Sequence, residues 1–158
     1  MNKITPSLIA GIGATIAIGL LSLIDSTLKE TVLIMAPFGA TAVLVFGLPD
    51  SPLAQPKNVI LGHLITAFIG VVFTQIIGVT PFTLALATGL GVSAMLLTKT
   101  THPPAGANPL LIMLSGQSWA FLITPVLIGA IAIVLIGKVM QKCQKRWLFK
   151  NTAIHLSK

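Results

Sequence analysis

Charge is what this sequence has least of. Only 3 acids and 10 Lys and Arg residues stand among 158, and charged residues make up 8% of the chain. A soluble domain is about 25% charged, and one of this size leaves about a third of its chain's surface in water. Thirteen charged side chains could not solvate that surface, so a cytosolic globular protein is excluded. A single cysteine excludes a disulfide scaffold, and the complexity of the sequence excludes collagen and disorder. Three scattered histidines and that one cysteine do not make a metal site. No Gly-x-Ser-x-Gly, Walker sequence or carboxylate pair occurs, so neither an enzyme nor a cofactor is expected. What is present is apolar: 54% hydrophobic residues and a mean hydropathy of +0.97. These values describe an all-α integral membrane protein.

The charges divide the chain. Residues 4–24, 31–49, 58–98 and 100–137 carry none, in runs of 21, 19, 41 and 38 residues. A helical crossing needs about 20 apolar residues, so the runs read as one, one, two and two. Gly78-Val79-Thr80-Pro81 and Ser115-Gly116-Gln117-Ser118 break the two long runs with turn compositions. Six segments follow: about 6–24, 32–48, 58–78, 82–98, 101–115 and 119–137. The first run is too long for a signal peptide, and no small-x-small site precedes Asp25.

Lysine and arginine placement sets the orientation. The tail, 138–158, holds Lys138, Lys142, Lys145, Arg146, Lys150 and Lys158 with no acid, and is expected in the cytoplasm. Six crossings put the N-terminus, Lys57 and Lys99 there too, in a multi-pass inner (plasma) membrane protein. The alternative is four spanning helices plus re-entrant half-helices at 32–48 and 101–116. The net charge of +7 is mostly this juxtamembrane cluster, which suits a lipid bilayer as partner and not nucleic acid. A homo-oligomer is left open.

The halves resemble each other. Pro37-Phe38-Gly39-Ala40-Thr41 matches Pro104-Ala105-Gly106-Ala107-Asn108 at an offset of 67, and Gly11-Ile12-Gly13 resembles Gly89-Leu90-Gly91 at an offset of 78. Small-residue packing explains the glycine pairs equally well, whereas the proline motif sits at the same place in each half. The single transmembrane domain therefore reads as repeat 1, about 6–78, and repeat 2, about 82–137. Three crossings each make the second copy inverted, a recurrent plan of transporters.

Proline breaks the preceding turn and suits the first position of a helix. Pro37 and Pro104 should start short helices, about 38–48 and 105–115, each too short to cross a ~30 Å core alone. Such backbone persists at membrane depth only in a sealed core or a cavity. Half-helix N-termini offer free N–H groups and partial positive charge, suited to a small anion. Gly39 and Gly106 permit close approach of a ligand or of neighbouring backbone. Thr41 and Asn108 are the matched polar side chains, and Lys99 and His102 the nearby cationic candidates. No intramembrane acid offers a cation site. The candidate substrate site is thus Pro37, Gly39, Thr41, Lys99, His102, Pro104, Gly106 and Asn108, for a small anion or another small polar solute.

Thr101-His102-Pro103-Pro104-Ala105-Gly106-Ala107-Asn108-Pro109 resembles the signature of the HPP family of integral membrane proteins. Ala36 to Ala42 and Ser51 to Asn58 are similar to its other hallmarks. The resemblance implies four transmembrane helices and a transport role, with nitrite as the substrate of some members. A non-transporting membrane scaffold is the rival, and it would seal both proline breaks dry.

Other polar residues have simpler readings. His102 is either a pH-sensitive gate or a cap on freed carbonyls. His63, Gln75 and Asn58 are expected to hydrogen-bond neighbouring helices and Trp119 to anchor at the interface; Cys143 is a lone thiol whose options are palmitoylation or no role, the latter preferred.

Overall fold

The computed structural model describes residues 4–27 and 33–156, with side chains as far as residue 143. Six helices run through them. Helix α1 spans Ile4–Thr27. Helix α2, Pro37–Ala42, continues through a wide π turn, Val43–Gly47, and α3, Pro56–Val72, through another, Phe73–Ile77. Helix α4 spans Pro81–Leu97. A 3-10 turn, Pro103–Ala107, leads into α5, Asn108–Ser115. Two further turns, Trp119–Leu122 and Ile123–Leu127, lead into α6, Ile128–Leu156. Among the described residues, three apolar stretches are long enough to cross a membrane: Ile4–Thr27, Pro56–Ile77 and Trp119–Cys143.

Proline starts α2, α3, α4 and the turn before α5, where its missing N–H has no intrahelical partner to lose. The second broken element begins at Pro103, one residue before the expected start, and tightly. Pro103, Pro104 and Pro109 cannot donate α-helical bonds, so Ala105 N–H donates to the His102 carbonyl at 2.9 Å, three residues back. The helix expected to end near 137 runs on to Leu156, taking in most of the basic tail.

Side-chain contacts set the direction of each helix. Leu33 N–H donates to Asp25 at the end of α1, and Gly13 lies against Phe46 and Met140. So α2 runs antiparallel to α1 and descends about 18 Å past it (12 residues, 13 to 25, at ~1.5 Å each). Gly62 meets Thr100 and His102, Gly70 meets Pro109, and Gln75 bonds the Gln117 carbonyl, so α5 runs alongside α3 in the same direction. Gly91 meets Thr66 on α3, and Gly62 meets Met95, so α4 is antiparallel to both.

Close contacts recur at one spacing. A Cβ on Gly62 would sit 2.9 Å from the Thr100 carbonyl; one on Gly129 would sit 3.2 Å from the Leu33 carbonyl. Gly70 packs on Ile112 and Gly137 on Val45. Each partner is displaced by the same 67 residues (129 − 62, 100 − 33, 137 − 70, 112 − 45). Likewise Gly13 touches α6 and the π turn after α2, and Gly91 touches α5 and α3.

The core lies between α1, α2, α3 and α6 around Phe38, Val59, Val71, Val126 and Ile133. A smaller cluster joins Phe73, Ala87 and Met113. Helix α1 buries only Gly13, Ala17 and Leu21, four residues apart, and α4 only Ala87, Gly91 and Met95. Their other faces expose Leu8, Ile12, Ile16, Leu86 and Leu90. An apolar exterior of this extent suits hydrocarbon as solvent.

Candidate functional site

Three of the sequence-derived site residues, Thr41, His102 and Asn108, converge, joined by His63 and Thr66; all five are 0% exposed. Thr41 lies one turn into α2, and Asn108 opens α5. His63 and Thr66 face them from α3. His102 caps the 3-10 turn, in extended backbone imposed by the following proline.

The imidazole of His63 is held from both sides. Thr41 Oγ1 lies 2.8 Å from its Nε2, and Asn108 Nδ2 lies 3.0 Å from its Nδ1. Thr41 Oγ1 also lies 3.0 Å from His102 Nε2, and His102 Nδ1 lies 2.8 Å from the Leu53 carbonyl. The chemistry of the end groups orders this chain. A carbonyl only accepts, so His102 Nδ1 carries a proton and, in the neutral ring, Nε2 accepts. Asn108 Nδ2 also lies 3.0 Å from the His63 carbonyl, which fixes the amide with nitrogen on that side. His63 Nδ1 therefore accepts, and its Nε2–H donates to Thr41. The hydroxyl of Thr41 has two acceptors in reach, His102 Nε2 at 3.0 Å and the Pro37 carbonyl one turn back at 3.2 Å, and the shorter bond runs onward to His102. Every link then points one way, from Asn108 through His63, Thr41 and His102 to Leu53.

Side bonds brace the chain. Asn108 Nδ2 reaches Thr66 Oγ1 at 3.1 Å, and the Thr66 hydroxyl donates to Gly62 at 2.8 Å. Asn58 Nδ2 donates to the Thr101 carbonyl at 2.9 Å. The rings of His63 and His102 meet edge-on, 5.0 Å apart, and Phe38 closes the other side of His63 at 5.3 Å. Gly62 is required here, since any Cβ would strike the Thr100 carbonyl and His102.

The remaining candidates lie elsewhere. Pro37 and Pro104 are buried beside the cluster. A Cβ added to Gly39 or Gly106 would meet nothing within 4 Å, so neither glycine faces close backbone. Lys99 is exposed at the end of α4 with φ 54. It holds the left-handed position of a Schellman cap, with Thr100 N–H on the Met95 carbonyl and Lys99 N–H on that of Leu96. The first amides of α2, Phe38 and Gly39, donate to the Met35 and Ala36 carbonyls, which leaves fewer free N–H groups there than a bare half-helix offers.

The cluster is sealed. A cavity of about 50 Å³ lies beyond its Leu53 end, bounded by Ala54, Gln55, Lys138 and Gln141. A groove of about 340 Å³ between Phe68, Phe73, Leu90 and Leu97 is lined almost entirely by apolar side chains and lies apart from the cluster. Among the described residues no three metal-ligating side chains converge.

His63 was expected only to tie neighbouring helices, and it does; its central place was not visible because its partners lie 22 and 45 residues away. The signal available was a lone histidine near the start of a charge-free run, with two matched polar residues lacking any partner.

A family model described as the HPP transmembrane region matches residues 1–148. A transmembrane protein of Dictyostelium discoideum is 36% identical over 128 residues, 75% of this chain and 40% of its own length. A second transmembrane protein of that organism is 35% identical over 121 residues, 72% of this chain and 42% of its own. The chain thus spans about two-fifths of the curated relatives that it matches. No solved structure matches it.

Proposed function

The chain belongs to the HPP family of integral membrane proteins, and from that premise we propose that it is a transporter or channel for a small inorganic anion, nitrite foremost. The observation that carries this reading is the grip on His63. Thr41 and Asn108 occupy matched places in the two halves and bond opposite nitrogens of one buried ring. Polar groups at membrane depth are costly and mark solute pathways, and inverted-repeat transporters hold their substrates where two broken helices meet.

We read residues 6–78 and 82–137 as inverted repeats crossing the inner membrane six times, with both termini in the cytoplasm. Contacts recurring at 67 residues and the alternating helix directions support that topology. The role is transport and not catalysis, and nothing in it calls for a cofactor.

The sealing of the cluster favours a second reading, a membrane scaffold in which the polar chain is a lock. Flux into proteoliposomes separates the two, using nitrite, nitrate, formate, chloride and taurine as a panel. A transporter moves at least one of them above protein-free leak; a scaffold moves none.

A further inference from the structure

The cluster holds an imbalance that bears on what it could bind. Every polar hydrogen in it is committed: Asn108 Nδ2 to His63 and Thr66, His63 Nε2 to Thr41, Thr41 to His102, His102 Nδ1 to Leu53, and Thr66 to Gly62. One acceptor is left over. Asn108 Oδ1 is buried and has no hydrogen-bond partner, and the amide cannot turn to relieve it. Rotation would set Oδ1 against the His63 carbonyl, now 3.0 Å from Nδ2. Buried polar atoms in folded proteins are nearly always paired, so an orphan carbonyl oxygen in a polar cluster points to a group that arrives with a hydrogen to give.

A bare anion has none. It would find every donor taken and one carbonyl oxygen repelling it. The undissociated form of a weak acid carries one O–H donor together with its own acceptor oxygen, and no net charge to desolvate. Resting on the transporter reading above, we infer that the species bound at Asn108 is the neutral, protonated form of a small weak acid. Anion and proton then cross together as one molecule. Among the described residues, the titratable group bonded to Asn108 is His63, and His102 in turn meets the His63 ring.

The test compares formate with nitrate in proteoliposomes, each with a protein-free control, at two pH values. A simple carboxylic acid with a pKa of about 4 is about one-tenth undissociated at pH about 5 and about one part in three thousand at pH about 7.5. The expected result is formate flux above leak, rising by about 300-fold at the lower pH. It should not respond to an imposed membrane potential. Nitrate, the anion of a strong acid, should not move at either pH.

Nitrate flux at the lower pH would show instead that protonated histidines make an anion site, and a current that follows the potential would show a charged species. Either overturns this inference and leaves the transporter reading standing. If no solute moves, that reading falls, and thermal stability in detergent still decides the inference. Formate should stabilise the wild type more than nitrate does at the lower pH, and should lose that advantage in Asn108→Leu. Equal stabilisation by the two salts would sink it.

Discussion

Replacing Thr41 with valine sets two rules against each other. Valine is the same shape and more apolar, so hydropathy alone favours it inside a membrane helix. The hydrogen-bond chain says the reverse. The Thr41 hydroxyl is 0% exposed and joins His63 at 2.8 Å to His102 at 3.0 Å. Without it, the Nε2–H of His63 has no acceptor and the Nε2 of His102 has no donor. Interhelical hydrogen bonds in membrane proteins average about 0.6 kcal/mol and reach about 1.7, while an orphaned buried group costs about 1–3 kcal/mol in soluble proteins. Two links broken at once should therefore cost about 1–3 kcal/mol. Serine keeps the hydroxyl and loses one methyl, at about 0.8 kcal/mol. Reversible unfolding in mixed dodecylmaltoside–SDS micelles would measure both variants. A Thr41→Val protein as stable as the wild type, or more so, refutes the directed chain, because only the lost bonds predict that sign.

Three further outcomes are expected. Single cysteines at positions 52 and 117 should label from opposite sides of the membrane, since Pro52 lies near the start of α3 and Gln117 bonds Gln75 near its end; labelling from one side removes the six-crossing model. Asn108→Leu should insert with normal yield but bind solute about fivefold to 150-fold more weakly, the equivalent of about 1–3 kcal/mol; full transport at normal yield would take Asn108 out of the site, whereas lost yield would mark it as a brace. Lys99→Gly should stabilise the fold by about 1 kcal/mol in the same micelle assay, because a left-handed residue at φ 54 favours glycine, and unchanged stability would show that the Schellman cap carries no strain.

Much of the fold was legible because bilayer physics writes it into composition. Charge-free runs, the turn at Gly78–Pro81 and Pro37 place the starts of the first four helices to within a few residues, whereas α6 runs well past its expected end near 137 to Leu156. The π turns at the ends of α2 and α3 were not legible, since they arise from packing and carry no residue signature. The third and sixth segments share no motif in the sequence, yet Gly62 and Gly70 correspond to Gly129 and Gly137 at the spacing already set by Pro37 and Pro104. Comparing glycines alone at that offset would have found them. In the site, Thr41 and Asn108 were visible as a matched pair. His63 was not visible as what they share, because hydrogen bonds across 22 and 45 residues leave no local pattern. The equivalents of His102 and His63 at the same offset are Met35 and Ala130, both buried and apolar, so each half supplies one ring of the pair at a position with no polar match in the other.

The fixed direction of the polar chain also bears on proton leak. A row of hydroxyls and imidazoles conducts protons only if each member, having passed one on, turns over to receive the next. Here both ends are pinned: the Leu53 carbonyl can never donate, and the His63 carbonyl holds the Asn108 amide in one orientation. After a single hop the wire cannot reset. A membrane that stores energy as a proton gradient could therefore house this protein without being short-circuited by it.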